Sequence, residues 1–339
     1  MKRIQFKFSQ SATTVYFDAS FAQLAKLVDK KNTIIITDEH IFSAQAAKLK
    51  GWKTIVLKAG EEYKVQATVD LILHRLIELE ADRKTTLVGL GGGVVTDITG
   101  YVASVYMRGI AFGFVPGSLL AMVDASIGGK NGIDAGLYKN MVGVIRQPNF
   151  LLYDISLLKS LPEAEWQNGF AEIIKHACIK DAAMFSLLEK NNLAAFRKNK
   201  KLVAALVERN ARIKIKVVQK DEFEKADRKL LNYGHTLGHA LENLYQLSHG
   251  HAVSIGMAYA AEISRQVNGF AQKDRLVKLI HQYGLPAFTK FNKEQVFAVL
   301  KMDKKRERKD ISYILLEKIG KGVIKSIPLS KLEHMIEPL

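Results

Sequence analysis

The run Thr33-Ile-Ile-Ile-Thr37 most restricts what this chain can become, because five β-favouring residues with no polar alternation read as a strand covered on both faces. Helical patterns and further short apolar runs surround it. Ile4 to Phe8 and Thr14 to Phe17 read as strands, Phe21 to Val28 as a helix and Ser43 to Lys50 as another. Lys53 to Leu57, a helix from about Val65 to Glu80 and a strand Thr85 to Leu90 continue the pattern. Strand and helix exchanging places in this way predicts a parallel sheet with helices on both faces, whose ligands gather at the carboxyl ends of the strands.

One such end is chemically marked. Gly91, Gly92 and Gly93 lie between the strand Thr85 to Leu90 and a helical pattern, within Gly89-Leu-Gly-Gly-Gly-Val-Val-Thr-Asp-Ile-Thr-Gly100. Bare backbone there lets a pyrophosphate approach, and the start of the helix offers N–H donors to it. The spacing departs from the usual dinucleotide fingerprint, since Val94 stands in place of its last glycine and no acid follows about 20 residues on. Asp38, directly after the Thr33 run, is a candidate for the ribose from an earlier strand. A tight turn with no ligand is the competing explanation of the glycines.

Beyond a strand at Ala111 to Val115 come Pro116-Gly117-Ser118, an apolar helix, and a glycine-rich loop from Asp124 to Asn140 holding Lys130 and Lys139. Ammonium groups in such a loop suit an anionic substrate, although solvated lysines on a surface loop would look the same. Near Ser160-Leu161-Pro162 the texture turns helical and stays so to about Phe291. The domain boundary is placed there, giving domains 1–160 and 161–339. A charged loop from Lys301 to Lys309 precedes an expected hairpin, Ile311 to Leu316 with Gly322 to Ile327.

Four of the nine histidines crowd into Leu231 to Val253, at His235, His239, His249 and His251. His235 and His239, four residues apart, share one helix face, and the break at Ser248-His249-Gly250 lets the chain return with His251. A catalytic divalent ion is typically held by three protein groups, and Glu172 in Ala171-Glu-Ile-Ile-Lys-His176 is the carboxylate that would complete the set of His235 and His251. Lys175, one turn on, is placed to hold an anionic group beside it. Polar helix histidines with no metal, and an ordinary Glu172/Lys175 surface pair, are the plainer alternatives. Cys178 is the chain's single cysteine, so a metal must use histidine and carboxylate rather than thiolates.

A formal charge of +16 raises the possibility of nucleic acid, but the basic residues are spread along the chain among acidic neighbours, which favours a solvated surface and small anionic ligands. No apolar run reaches the roughly 18 residues that span a bilayer, and the first ten residues lack an apolar core. The expected setting is cytoplasmic, with neither membrane nor nucleic acid as partner.

Taken together and in order, Gly-Gly-Gly-Val-Val-Thr-Asp97, Tyr-Met-Arg108-Gly, Val-Asp124-Ala-Ser-Ile-Gly-Gly-Lys130-Asn-Gly, Leu-Tyr-Lys139-Asn140-Met-Val-Gly, Ala-Glu172-Ile-Ile-Lys175, Leu-Leu-Asn232-Tyr-Gly-His235-Thr-Leu-Gly-His239 and Gly-His251-Ala-Val resemble the 3-dehydroquinate synthases. The likeness runs from about Asp38 to the Asp303-Lys304-Lys305 loop. It implies a dehydroquinate synthase-like fold: an α/β N-terminal Rossmann-like NAD-binding domain plus an all-α C-terminal metal-binding domain, with the active site in the cleft, usually as a homodimer. By motif it implies zinc or cobalt on Glu172, His235 and His251, and NAD on Asp38, Glu61, Lys64, Gly92, Gly93, Asp97, Ser118 and Ser160, with Lys130 and Lys139 also near it. The substrate and catalytic set it implies is Arg108, Asp124, Lys130, Lys139, Asn140, Lys175, Lys214, Arg228, Asn232, His239 and one of Lys304 or Lys305. Gly117 departs from the family, which usually has a hydroxyl residue there.

The implied substrate is a small phosphorylated sugar acid, 3-deoxy-D-arabino-heptulosonate 7-phosphate. The implied reaction is transient oxidation at C5, phosphate elimination, re-reduction and aldol closure to 3-dehydroquinate in the shikimate pathway. Cyclases making valiolones or inososes, and more distantly metal-dependent polyol dehydrogenases, are the rival enzyme readings. A basic nucleic-acid-binding module is the rival outside enzymes.

Overall fold

The computed structural model describes residues 1–136, 138–301, 306–307 and 310–336. Lys304 and Lys305 therefore lie outside the described residues. The chain divides into two compact units, one of residues 1–165 with 200–223, the other of residues 166–199 with 224–339.

The first unit is built on a sheet of seven strands: β1 (Lys2–Lys7), β2 (Ala12–Phe17), β3 (Thr33–Asp38), β4 (Lys53–Leu57), β5 (Thr86–Gly91), β6 (Ala111–Pro116) and β9 (Phe150–Leu152). They lie in the order β1-β2-β9-β6-β5-β3-β4, every neighbouring pair parallel except β1 with β2. The Thr33 run is β3, flanked on both sides and buried through Thr37, as its uniform apolarity requires. Ile35, Val88, Leu90, Val115, Phe150 and Leu152 form its core with Phe21 and Leu24.

From β3 the chain moves outward to β4, then returns to lay β5 on the other side. The order thus reverses between β3 and β5, which is where an open α/β sheet opens a crevice at its carboxyl ends. Asp38 ends β3, Gly91 ends β5 and Pro116, in register with Gly91, ends β6.

Helices α1 (Glu39–Ala44), α2 (Ala46–Leu49), α3 (Gln66–Glu78) and α4 (Gly93–Val105) join these strands. The helix expected over Ser43 to Lys50 is thus two short ones, the first started early because Asp38 Oδ1 accepts from the Ile41 N–H at 2.9 Å. Phe21–Lys26 is a 3-10 turn, and the apolar stretch after Ser118 makes one π-type turn at Ala121–Ala125. Within the stretch expected as a loop from Asp124 to Asn140, residue 130 begins a hairpin of β7 (Lys130–Ala135) and β8 (Tyr138–Ile145). Two of its glycines mark close approach: a Cβ on Gly132 would lie 2.6 Å from the Val142 carbonyl oxygen, and one on Gly143 2.4 Å from the Asn131 oxygen.

The second unit is helical, with α5 (Glu163–Lys180, entering it at Trp166), α6 (Ala182–Glu189), α7 (Leu193–Lys198), α9 (His235–Tyr245), α10 (His249–Asn268), α11 (Lys273–Gln282), α12 (Lys293–Lys301) and α13 (Leu329–Met335). A small sheet of β10 (Arg306–Glu307), β11 (Asp310–Lys318) and β12 (Lys321–Pro328) contains the expected hairpin. Helix α8 (Lys200–Lys220) continues the helical texture of this half yet belongs to the first unit, where its Lys214 is tied to Asp124. Among the described residues no helix is long and apolar enough to cross a membrane.

Helices α9 and α10 meet along glycines. A Cβ on Gly238 would sit 2.9 Å from the Ala252 oxygen, one on Gly234 2.8 Å from the Val253 oxygen, and one on Gly256 inside the Gly234 carbonyl. Only bare backbone permits this approach, and it is what carries the N-terminal turns of both helices to one place. Gly256→Ala is expected to destabilise the protein by about 1–3 kcal/mol through overpacking. Urea unfolding of variant and wild type checks this, and an unchanged midpoint would mean the helices can part without cost.

Candidate functional site

At the end of β5 the chain builds a cradle. Gly92 is the N-cap of α4 and brings no side chain to its first-turn N–H groups. A Cβ on Gly91 would lie 2.7 Å from Val95, so that glycine is required by packing. A Cβ on Gly92 would meet only Ser118 Oγ, at 3.6 Å, and the space over it is open. Unsatisfied donors beside open space fit a pyrophosphate, and the Gly92, Gly93 and Ser118 expected at a dinucleotide are neighbours here. Asp38 is half-buried at the adjoining strand end, and Ser160, exposed, accepts from the Gln45 amide at 3.5 Å. At Gly117 a Cβ would lie 3.1 Å from the Ile41 Cδ1 methyl and 3.3 Å from the Gly91 Cα, so a larger residue there would have to move the Ile41 side chain by a few tenths of an ångström.

Lys64 anchors a second group in this unit. Its buried ammonium donates to Asp97 Oδ2 at 2.6 Å and to Asn140 Oδ1 at 2.7 Å, with Glu61 at 4.0 Å. Burial alone would lower the Lys64 pKa, but Asp97 and then Glu61 raise it, so the group keeps its charge. Lys214 donates to the Asp124 carbonyl at 2.7 Å and pairs with its carboxylate at 2.8 Å. Lys130 and Arg108 are exposed, Lys139 half-buried.

The second unit holds the imidazoles. Helix α5 presents Glu172, 0 % exposed. His235 Nε2 lies 3.2 Å and His249 Nε2 2.9 Å from its Oε1, and Lys175 pairs with its Oε2. The far ring nitrogens are engaged as well: His235 Nδ1 with the Tyr233 carbonyl at 3.1 Å and His249 Nδ1 near Glu242 at 3.7 Å. One carboxylate and two imidazoles offer ligand atoms within 4.8 Å of one another, each ring oriented from behind by an oxygen. That donor set fits zinc or cobalt.

The expected third ligand, His251, is corrected by this geometry. Ser248 caps α10, so His249 and His251 stand in its first turn two residues apart, about 200° around the axis. His249 turns to Glu172, whereas His251 lines a groove of about 550 Å³ with Leu247, Ile255, His281 and Phe288. Ser248 as N-cap was the available signal; Glu242, which backs the His249 ring, had none.

Burial would raise the Glu172 pKa, but Lys175 and then His235 hold it well below the carboxylate range. Burial and the Lys175 charge lower His235. His249 is the opposite case: burial would lower it, yet its contacts with Glu172 and Glu242 push it up to about 10. Arg228, in the charged run Ala226-Asp-Arg-Lys229, is 1 % exposed. Asn232 donates to Glu224 at 2.8 Å, and half-buried His239 meets His235 edge-on at 5.1 Å.

His249→Ala is expected to lose most bound zinc, and His251→Ala to keep close to one equivalent, as mass spectrometry under native conditions would read. Because His249 in the metal-free protein carries a proton up to about pH 10, an ion must displace it. Uptake near pH 7 should therefore release about one proton per ion, and affinity should fall as pH falls. Loss of zinc from the His251 variant alone would reverse the assignment.

Comparison with known proteins follows this geometry closely. Residues 54–168 match the family description "3-dehydroquinate synthase N-terminal" and residues 169–306 "3-dehydroquinate synthase C-terminal". A 3-dehydroquinate synthase of Thermodesulfovibrio yellowstonii is 41% identical over 275 residues, 79% of this chain and 76% of that one. One of Coxiella burnetii is 39% identical over 315 residues, 89% and 88%. The solved structure of a 2-deoxy-scyllo-inosose synthase complexed with carbaglucose-6-phosphate, NAD+ and Co2+ superposes with a TM-score of 0.86, at 25% identity and 98% of each chain. With motifs, cradle and ligand cluster all falling within the matched residues, the chain belongs to the 3-dehydroquinate synthase family.

Proposed function

We propose that this chain converts 3-deoxy-D-arabino-heptulosonate 7-phosphate to 3-dehydroquinate and phosphate, with NAD at the β5–α4 cradle and a divalent ion, zinc or cobalt, on Glu172, His235 and His249. The observation that carries it is the buried carboxylate–imidazole set, enclosed in one unit with Lys175 and Arg228. When bound, the ion supplies Lewis acidity toward vicinal hydroxyl groups and NAD a reversible hydride acceptor.

The side chains divide the remaining work. Gly92, Gly93 and Ser118 leave room and donors for the pyrophosphate, Asp38 stands at the strand end for a ribose, and the bonded group of Lys64, Glu61 and Asp97 supplies further polar contacts for the nucleotide. Lys130, Lys139, Asn140, Arg108 and the paired Lys214 and Asp124 are the first unit's candidates for the substrate's anionic and hydroxyl groups. In the second unit Arg228 is suited to a planar carboxylate, Asn232 to a hydroxyl, and Lys175 to an anionic oxygen near Glu172. The His239 imidazole, half-buried, is suited to carry a proton to or from a substrate hydroxyl.

A homodimer is part of the same reading. What supports it is β8, the outer strand of a two-stranded sheet, which exposes Tyr138, Met141, Val142 and Ile145. An apolar edge of this kind pairs readily with its own copy. Sedimentation should give a dimer that Met141→Lys weakens, and a monomeric wild type would remove the proposal.

Phosphate release from the heptulosonate phosphate, measured with and without NAD, tests the reaction; release must require NAD without net NADH. Arg228 separates this substrate from those of related cyclases, which lack the carboxylate. A charge pair broken with its partner left buried costs about 2–5 kcal/mol. Arg228→Lys should thus lower kcat/KM at least about tenfold while zinc content and NAD affinity stay near wild type. Equal rates for both proteins, or faster wild-type turnover of sedoheptulose 7-phosphate, would refute the assignment.

A further inference from the structure

The hairpin of β7 and β8 holds a carboxylate that none of these roles uses. Asp134 sits where the pairing of the two strands slips, between Ile133 and Ala135. Irregularities of this kind re-aim a side chain, and this one is aimed along the hairpin: Asp134 Oδ1 accepts from the Asn140 N–H at 2.6 Å. The Asp134 N–H donates to the Lys64 carbonyl at 2.8 Å. The ring of bonds then closes on itself, since the Lys64 ammonium donates to Asn140 Oδ1 at 2.7 Å.

Asn140 has φ +55, in the left-handed region that asparagine enters more readily than other residues with a side chain. Glycine would take that conformation freely but would leave Lys64 without its amide partner. Asparagine supplies both the amide and a tolerance of the turn, and the bond from its N–H to Asp134 ties that turn to the facing strand. We infer that Asp134 is a positioning residue, holding Asn140 in its left-handed conformation and thereby setting the Asn140 amide against Lys64. The inference rests on the reading of Lys64 and Asn140 as ligand contacts.

The test is a double-mutant cycle on the full chain loaded with zinc and NAD, read by phosphate release. Asp134→Ala should lower kcat/KM about tenfold, the usual scale for misplacing a positioned group. Asp134→Asn, whose amide oxygen accepts the same N–H, should stay within about twofold of wild type. On an Asn140→Ala background Asp134→Ala should cost less than about twofold, because the group it positions is gone. If the losses multiply, or if Asp134→Asn falls as far as Asp134→Ala, Asp134 has no positioning role through Asn140. Should the alanine variant fail to fold, Asp134→Ser, too short to span the bond, replaces it in the cycle. Wild-type phosphate release separately decides the underlying reaction; were it nil, the same cycle is read on the Kd for NAD by calorimetry, where additive losses overturn the inference and non-additive losses uphold it.

Discussion

A carboxylate with no access to water cannot stand alone, and Glu172 in the middle of α5 is such a group. Its charge is tolerated because Lys175 lies one turn on and two imidazoles converge on its other oxygen. Neither partner is incidental: the pull of Lys175 and His235 outweighs burial, and the carboxylate stays ionised. An ionised oxygen with two imidazole nitrogen donors and oxygen atoms behind the rings is an arrangement that a divalent cation completes and that hydrophobic packing could not use.

That convergence depends on contacts with no chemistry of their own. His235 opens α9 and His249 opens α10, so their rings share a point only if the two helices run almost in backbone contact, and Gly234, Gly238 and Gly256 allow it. In the first unit the same device recurs at the cradle, where Gly91 admits Val95 and Gly92 leaves room for a ligand. Glycine serves packing in one position and leaves open space in the next.

Much of this was legible in the residues. The Thr33 run and the glycines that end β5 are local patterns, and period and turn chemistry read them as a buried strand and a strand-to-helix turn. What escaped depends on facing. His249 and His251 are equally close in sequence to the break at Ser248, and only the position of the cap decides which ring points at Glu172. Arg228 sits in a run that looks solvated and is buried by elements distant in sequence. The β7–β8 hairpin was hidden because Gly132, Gly136 and Gly143 interrupt the alternation by which strands announce themselves. Helix α8 shows the same limit, since an amphipathic pattern states that a face is covered and not by what.

The placement of α8 also bears on how the protein is made and handled. The first unit is discontinuous, because the chain leaves it at residue 165, re-enters at 200 and leaves again after 223. A ribosome that has released the whole parallel sheet has still not delivered the helix that packs on Ala121–Ala125 and meets Asp124 with Lys214. Residues 166–199 of the other unit emerge before it. For the same reason a fragment cut at residue 168, where the two family descriptions meet, would be the first unit without α8.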